Sequence, residues 1–195
     1  MGRLSPADPV AIAVQVAGIL ERLGVRYVLG GSLASAAFGE PRATLDVDLA
    51  ADLGVAQVGA FVDAVRHDFF VDAEWVAAEV RRRGSFQLVH RASMIRVDVF
   101  VPAWQGFDRW KWEHRRRIEL GAGAALDVTS PEAIVIQKLV WYRAGGETSD
   151  RQWRDVLGVL KSQRGHLDLP AVREQADAMG VADLLARVCG EAGSE

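Results

Sequence analysis

Two glycines, a serine and two aspartates within one short stretch constrain this chain more than anything else in it. Val25-Arg26-Tyr27-Val28-Leu29 is a short apolar run that predicts a buried strand. It ends on Gly30-Gly31, which permits a sharp exit and a backbone approach to a ligand that a side chain would block. Ser32 is placed to cap a short helix over 33–38, and the N–H groups of such a helix start point at one spot, an anion site suited to phosphate. After a turn at Glu40-Pro41, a second strand carries Asp46 and Asp48. Residues two apart on a strand share a face, so both carboxylates project together while Val47 and Leu49 turn to the core.

Two carboxylates at close range repel, and a hard divalent ion such as Mg²⁺ relieves the repulsion through oxygen ligands while bridging phosphates. Either half of the pattern alone is also what an ordinary strand-to-helix turn, or the edge of a half-buried strand, looks like. Together and in this order, Gly31-Ser32 and Asp46-Val47-Asp48 resemble the DNA polymerase β-like nucleotidyltransferase superfamily, whose signature is Gly-Ser, a spacer and Asp-x-Asp. The resemblance implies transfer of a nucleoside monophosphate from a nucleoside triphosphate to an acceptor hydroxyl with two metal ions.

Around this centre the chain alternates helices and strands. Asp8 and Pro9 open a helix over 9–23 that stops at Gly24. A second amphipathic helix is predicted over 54–67, with Val55, Val58, Phe61, Val62 and Val65 on one stripe. Phe69-Phe70-Val71 is a short strand, and a helix over 73–83 ends at Gly84. The runs 85–90 and 94–101 form a hairpin. In its second strand Val97, Val99 and Val101 share one face, and Arg96, Asp98 and Phe100 the other. Asp98 is an acid inside an apolar strand, a costly placement without a partner, although the solvent face of an edge strand would also hold it. The superfamily has a third carboxylate on a neighbouring strand, and the resemblance places it at Asp98.

Arg109-Trp110-Lys111-Trp112-Glu113-His114-Arg115-Arg116-Arg117 interleaves basic and aromatic residues. Such a run tracks nucleic acid in some proteins and is a solvated rim in others. The small-residue stretch Gly121-Ala122-Gly123-Ala124-Ala125 reads as a hinge, giving a core over 1–125 and a helical C-terminal lobe over 126–195 that closes a cleft. In the lobe, Ser130-Pro131-Glu132 starts one helix and Ser149-Asp150-Arg151-Gln152 the next, where Trp153, Val156, Leu157 and Leu160 form the apolar stripe and Asp155 lies off it.

The run from Ser130 through Lys138-Leu139, followed one helix later by Arg154-Asp155, resembles the AbiEii-type nucleotidyltransferases, a group that includes toxins of type IV toxin–antitoxin systems. That resemblance implies Lys138 at the triphosphate and Asp155 facing the nucleotide site. The residues alone also allow Lys138 on an exposed helix face and Asp155 paired with Arg151. With both resemblances, Gly31, Ser32, Arg42 and Lys138 are the expected nucleotide-binding residues. Asp46, Asp48 and Asp98 are the expected ligands of Mg²⁺, with Mn²⁺ as the alternative ion, and Asp155 completes the catalytic set.

At 195 residues and a net charge of −3 the protein is no polycation. Cys189 is the single cysteine and cannot form an internal disulfide. His67, His90, His114 and His166 lack ligand spacing, which argues against zinc. With neither a basic leader nor a membrane-length apolar run, cytoplasm is the expected compartment and no membrane partner is expected. The expected fold is α/β, a small mixed sheet flanked by helices. The expected acceptor is RNA, tRNA in particular, with an antitoxin as protein partner. Modification of a protein or of a small molecule such as an aminoglycoside, or nucleotide binding without catalysis, are the alternatives.

Overall fold

The computed structural model describes residues 8–41, 43–121 and 123–193. Among them lie a seven-stranded mixed sheet and nine α-helices, the α/β architecture expected. The chain divides into two compact units. One takes the chain up to Leu33 together with Ala43–Val128; the other takes the segment from Ala34 and everything from Thr129 on.

In the first unit, α1 (Pro9–Arg22) starts where Asp8 accepts a hydrogen bond from the Val10 N–H at 2.9 Å. Strand β1 (Tyr27–Leu29), helix α2 (Gly31–Phe38, whose residues from Ala34 on belong to the second unit) and strand β2 (Asp46–Ala51) follow. The helix expected over 54–67 is split. Gly54 N–H donates to Gln57 Oε1, a single 3₁₀ turn spans Val55–Gln57, and α3 (Val58–Val65) begins afresh. Val55, expected on the apolar stripe, stands exposed in that turn. Next come β3 (Phe69–Phe70), α4 (Ala73–Arg82), β4 (Ser85–His90) and β5 (Arg96–Phe100), the last two paired as the predicted antiparallel hairpin. Helix α4 ends on Arg83 in the left-handed region, one residue before the expected Gly84. Helix α5 (Phe107–Glu113) leads to β6 (Arg116–Gly121) and β7 (Ala124–Val128). The stretch read as a hinge thus holds the turn of a β-hairpin, with Gly121 at φ +85° and Gly123 at φ +76°.

The strand order is β3-β4-β5-β2-β1-β7-β6, parallel between β5 and β2 and between β1 and β7, antiparallel elsewhere. Alternation divides the central strands cleanly. Val47, Leu49, Val97, Val99, Phe86 and Leu88 are buried, in one core with Ile12, Val16 and Leu20 of α1 and Phe61, Val62 and Val65 of α3. Phe61 meets Phe86 edge to face at 5.9 Å, which identifies this as the helix-covered side.

The second unit is helical: α6 (Pro131–Ala144), α7 (Asp150–Ser162), α8 (Leu169–Ala178) and α9 (Ala182–Ala192). Both predicted caps form, Ser130 accepting from Ala133 N–H and Ser149 from Gln152 N–H. Helix α6 is buried on nearly every side, so it is the unit's central rod. Within this unit Gly39 and Gly158 allow close backbone approach, since a Cβ on Gly39 would stand 3.2 Å from Gly158 C. No helix among the described residues is long and apolar enough to cross a membrane.

Candidate active site

The acidic residues come together along the parallel seam between β2 and β5. Pairing sets Asp46 opposite Arg96, Asp48 opposite Asp98 and Ala50 opposite Phe100. Opposite residues on neighbouring strands lie about 4.8 Å apart and on one face. Asp48 and Asp98 are therefore neighbours, and Asp46 is two residues along the same face. The buried valines and leucine on the reverse face lock this register, because a one-residue slip would turn every acid into the core.

The glycine turn is built onto the same row. Gly30 N–H donates to the Asp48 carbonyl at 2.8 Å. Gly31 sits at φ +59°, and a Cβ there would lie 1.8 Å from Asp48 Oδ2. Glycine is thus required twice, once for the backbone angle and once for the carboxylate lying against its α-carbon. Because Gly31 itself takes the left-handed turn, α2 opens at Gly31 and not at 33. Ser32 consequently lies buried in the first helical turn, which corrects its expected place as the cap before the helix.

Two side chains without an expected role hold the acids. Arg96 donates from Nε at 2.9 Å and from Nη2 at 2.6 Å, both to Asp46 Oδ1. Gln87, opposite Asp98 on β4, donates from Nε2 to Asp98 Oδ1 at 2.8 Å. Alternation alone puts Arg96 on the acidic face and could have flagged it; Gln87 required the hairpin register. Among the described residues no three His, Cys, Asp or Glu side chains form a ready-made metal cage. An open row of hard oxygen donors, with the Asp48 carboxylate seated against Gly31 where a Cβ would collide, still fits a cation that completes its shell with water and phosphate oxygens. The Arg96 guanidinium already brings positive charge to that row.

Two of the other expected residues belong to the second unit. Lys138 and Asp155 meet each other within the second unit, Nζ to Oδ2 at 2.7 Å. Lys138 is 3% exposed, which rules out its placement on a solvent face. Asp155 turns inward to this lysine instead of lying off the core. Arg42 lies outside the described residues.

The basic, tryptophan-bearing segment is tied up internally. Arg109 pairs with Glu113, Lys111 with Asp108, Arg115 with Asp127, and Arg117 with Glu21 and Asp127. Arg115 also lies 3.7 Å above the Trp112 ring, whose other neighbours include Trp104 and Arg26. These pairs lie on the surface of the unit, where exposed ion pairs exchange at little cost, so the rim and the nucleic-acid track both stand as readings of the segment.

No protein-family model matches the sequence, and no curated protein matches it either. Among solved structures, the chain is similar to an antigenic nucleotidyltransferase-like protein from Paracoccidioides brasiliensis. Identity is 16%, coverage 100% of this chain and 96% of that one, and the TM-score 0.57. It is also similar to the antibiotic-resistance factor ANT(2'')-Ia, at 13% identity, 93% coverage of each chain and a TM-score of 0.53. At such identities likeness is a statement about fold: this chain folds as a nucleotidyltransferase-like protein does.

Proposed function

We propose that the protein transfers a nucleoside monophosphate from a nucleoside triphosphate, ATP among them, to an acceptor hydroxyl. One observation carries the reading: the helix start and the acidic row share one spot, with Gly30 bonded to the Asp48 backbone and Gly31 resting on the Asp48 carboxylate. In the reaction the acceptor oxygen bonds to the α-phosphorus, the bond from that phosphorus to the bridging oxygen breaks, pyrophosphate leaves, and the hydroxyl proton passes to water. The first turn of α2 directs N–H groups and the positive end of the helix at phosphate oxygens, and Gly31 lets them approach the backbone. Asp46, Asp48 and Asp98 would hold Mg²⁺ or Mn²⁺, which when bound neutralises phosphate charge and lowers the pKa of the acceptor hydroxyl. The chain's own contribution is positioning: Gln87 fixes one oxygen of Asp98, and the buried reverse face of β2 and β5 keeps the carboxylates in register. The reading rests on the first unit alone.

For the acceptor, the AbiEii-type resemblance of Lys138 and Arg154-Asp155 supports RNA, tRNA in particular, in a protein held in check by an antitoxin. The likeness to an antibiotic-resistance factor supports a second reading, a small molecule such as an aminoglycoside. The test is incubation with each α-phosphate-labelled nucleoside triphosphate and Mg²⁺, against total RNA, a panel of aminoglycosides and whole lysate in separate reactions. Label in the RNA supports the first reading and label in a small molecule the second. Equal labelling by wild type and Asp48→Asn, or no labelling with any nucleotide, removes the transferase reading.

A further inference from the structure

Arg96 stands on the carboxylate face itself, two residues before Asp98 and opposite Asp46. Nε and Nη2 converge on a single oxygen, Asp46 Oδ1, at 2.9 and 2.6 Å. The hydrogen bonds of Asp46 first, and then the charges of Asp46, Asp98 and Asp48, hold the guanidinium above its ordinary range. The β2–β5 register sets its charge on the same face as Asp48 and Asp98 as well as Asp46. That charge acts from solvent, since the Arg96 side chain is 53% exposed and that of Asp46 35%.

We propose that Arg96 is a displaceable counter-cation: it holds Asp46 in place in the absence of a divalent cation and yields that carboxylate when one enters. The inference rests on the reading of Asp46, Asp48 and Asp98 as a divalent-cation site. A dication and a guanidinium on the same carboxylate oxygen would stand within a few ångströms of each other and repel. The dication has the higher charge and the shorter contact, about 2.0–2.1 Å for Mg²⁺. The arginine has a long stem in water and loses little by leaving, because exposed ion pairs are worth little. Gln87 differs in kind. Its neutral amide on Asp98 Oδ1 sets up no such competition and can stay while a cation is bound. Arg96 is thus a positioning residue that keeps the acids ordered and makes the row bind metal more weakly than its carboxylates alone would.

The experiment is calorimetric titration of the 195-residue protein with Mn²⁺, with melting temperatures at zero and saturating Mn²⁺. Arg96→Gln is expected to bind Mn²⁺ roughly fivefold more tightly than wild type, the upper end for an exposed pair. It should melt lower than wild type without Mn²⁺ and level with it at saturation. Arg96→Lys, which keeps the charge, should stay within about twofold of wild-type affinity. Gln87→Leu should bind no more tightly than wild type. Unchanged affinity in Arg96→Gln, with a melting deficit that Mn²⁺ does not close, would overturn the inference and leave a plain structural ion pair. Weaker binding of a nucleoside triphosphate with Mn²⁺ affinity unchanged would overturn it in favour of a phosphate contact. If wild type binds no Mn²⁺, or Asp48→Asn binds it equally well, the cation site itself falls and this inference with it.

Discussion

The two units carry the same kind of ion pair in opposite settings. Arg96–Asp46 closes at 2.6 Å on an open sheet face, with both side chains a third or more exposed. Lys138–Asp155 closes at 2.7 Å between two helices, with side chains 4% and 11% exposed. Equal distances do not mean equal consequences. An exposed pair can be exchanged for water or another ion at little cost, whereas a buried pair can only be broken by leaving a charge in a medium that cannot solvate it. The first is a device that can open. The second is part of what makes α6 and α7 one body.

The largest expected effect follows from the buried pair. Lys138→Met should destabilise the protein by about 3–5 kcal/mol, because Asp155 keeps its charge and loses its buried counter-ion. Chemical denaturation would register this as a lower midpoint with an unchanged slope. The double substitution Lys138→Met with Asp155→Leu should recover most of the loss, since neither charge then remains. A single Lys138→Met variant as stable as wild type would break the contrast between the units.

That lysine also shows what the sequence could and could not say. The elements were legible because caps and alternation are local: Asp8, Ser130 and Ser149 each cap the helix they were expected to cap. The shared face of Asp46 and Asp48 was legible because strand period and apolar reverse face agree, whereas Asp98 was expected from the resemblance and its place beside Asp48 needed the β2–β5 register. The burial of Lys138 was not read, although Ile134-Val135-Ile136 before it and Leu139-Val140 after it leave α6 almost no polar face. Its partner is 17 residues away on another helix. The glycine-rich stretch holds a hairpin turn, which draws on the same residues as a hinge and is told from it only by strand pairing. Arg96 went without a role for a related reason: its meaning depends on parallel pairing with a strand 50 residues away.

The second effect compares one substitution in both units. Asp48→Asn should depress nucleotide transfer by at least about a hundredfold, some 2.7 kcal/mol in barrier. Its melting temperature should hold or rise, because a repulsive acidic neighbour is neutralised. Asp155→Asn should do the reverse to stability, stranding the Lys138 ammonium and lowering the midpoint. An Asp155→Asn protein that melts with wild type, or an Asp48→Asn protein that melts well below it, would sink the division of labour. Gly31→Ala is expected to have a smaller effect, about 1–3 kcal/mol from the left-handed backbone. It should also lower transfer by displacing the Asp48 carboxylate, with no charge altered. Full transfer by Gly31→Ala would detach the glycine turn from the acidic row.

The smallest expected effect isolates solvent exposure as the cause of the difference. Salt screens charges that water can reach, with a Debye length near 10 Å at 0.1 M falling to about 3 Å at 1 M. Without divalent cation, Arg96→Gln should lower the melting temperature by roughly a degree or two at low ionic strength. At about 1 M salt the deficit should vanish, because ions then do for the carboxylates what the guanidinium does. The deficit of Lys138→Met should persist across the same range, since screening ions do not enter a helix interface. Chloride salts of monovalent cations are needed, so that no competing metal fills the row. A deficit in Arg96→Gln that survived high salt undiminished would make Arg96 a fixed member of the fold. The two pairs would then be alike, and Asp46 could reach a metal ion only through its oxygen not engaged by Arg96.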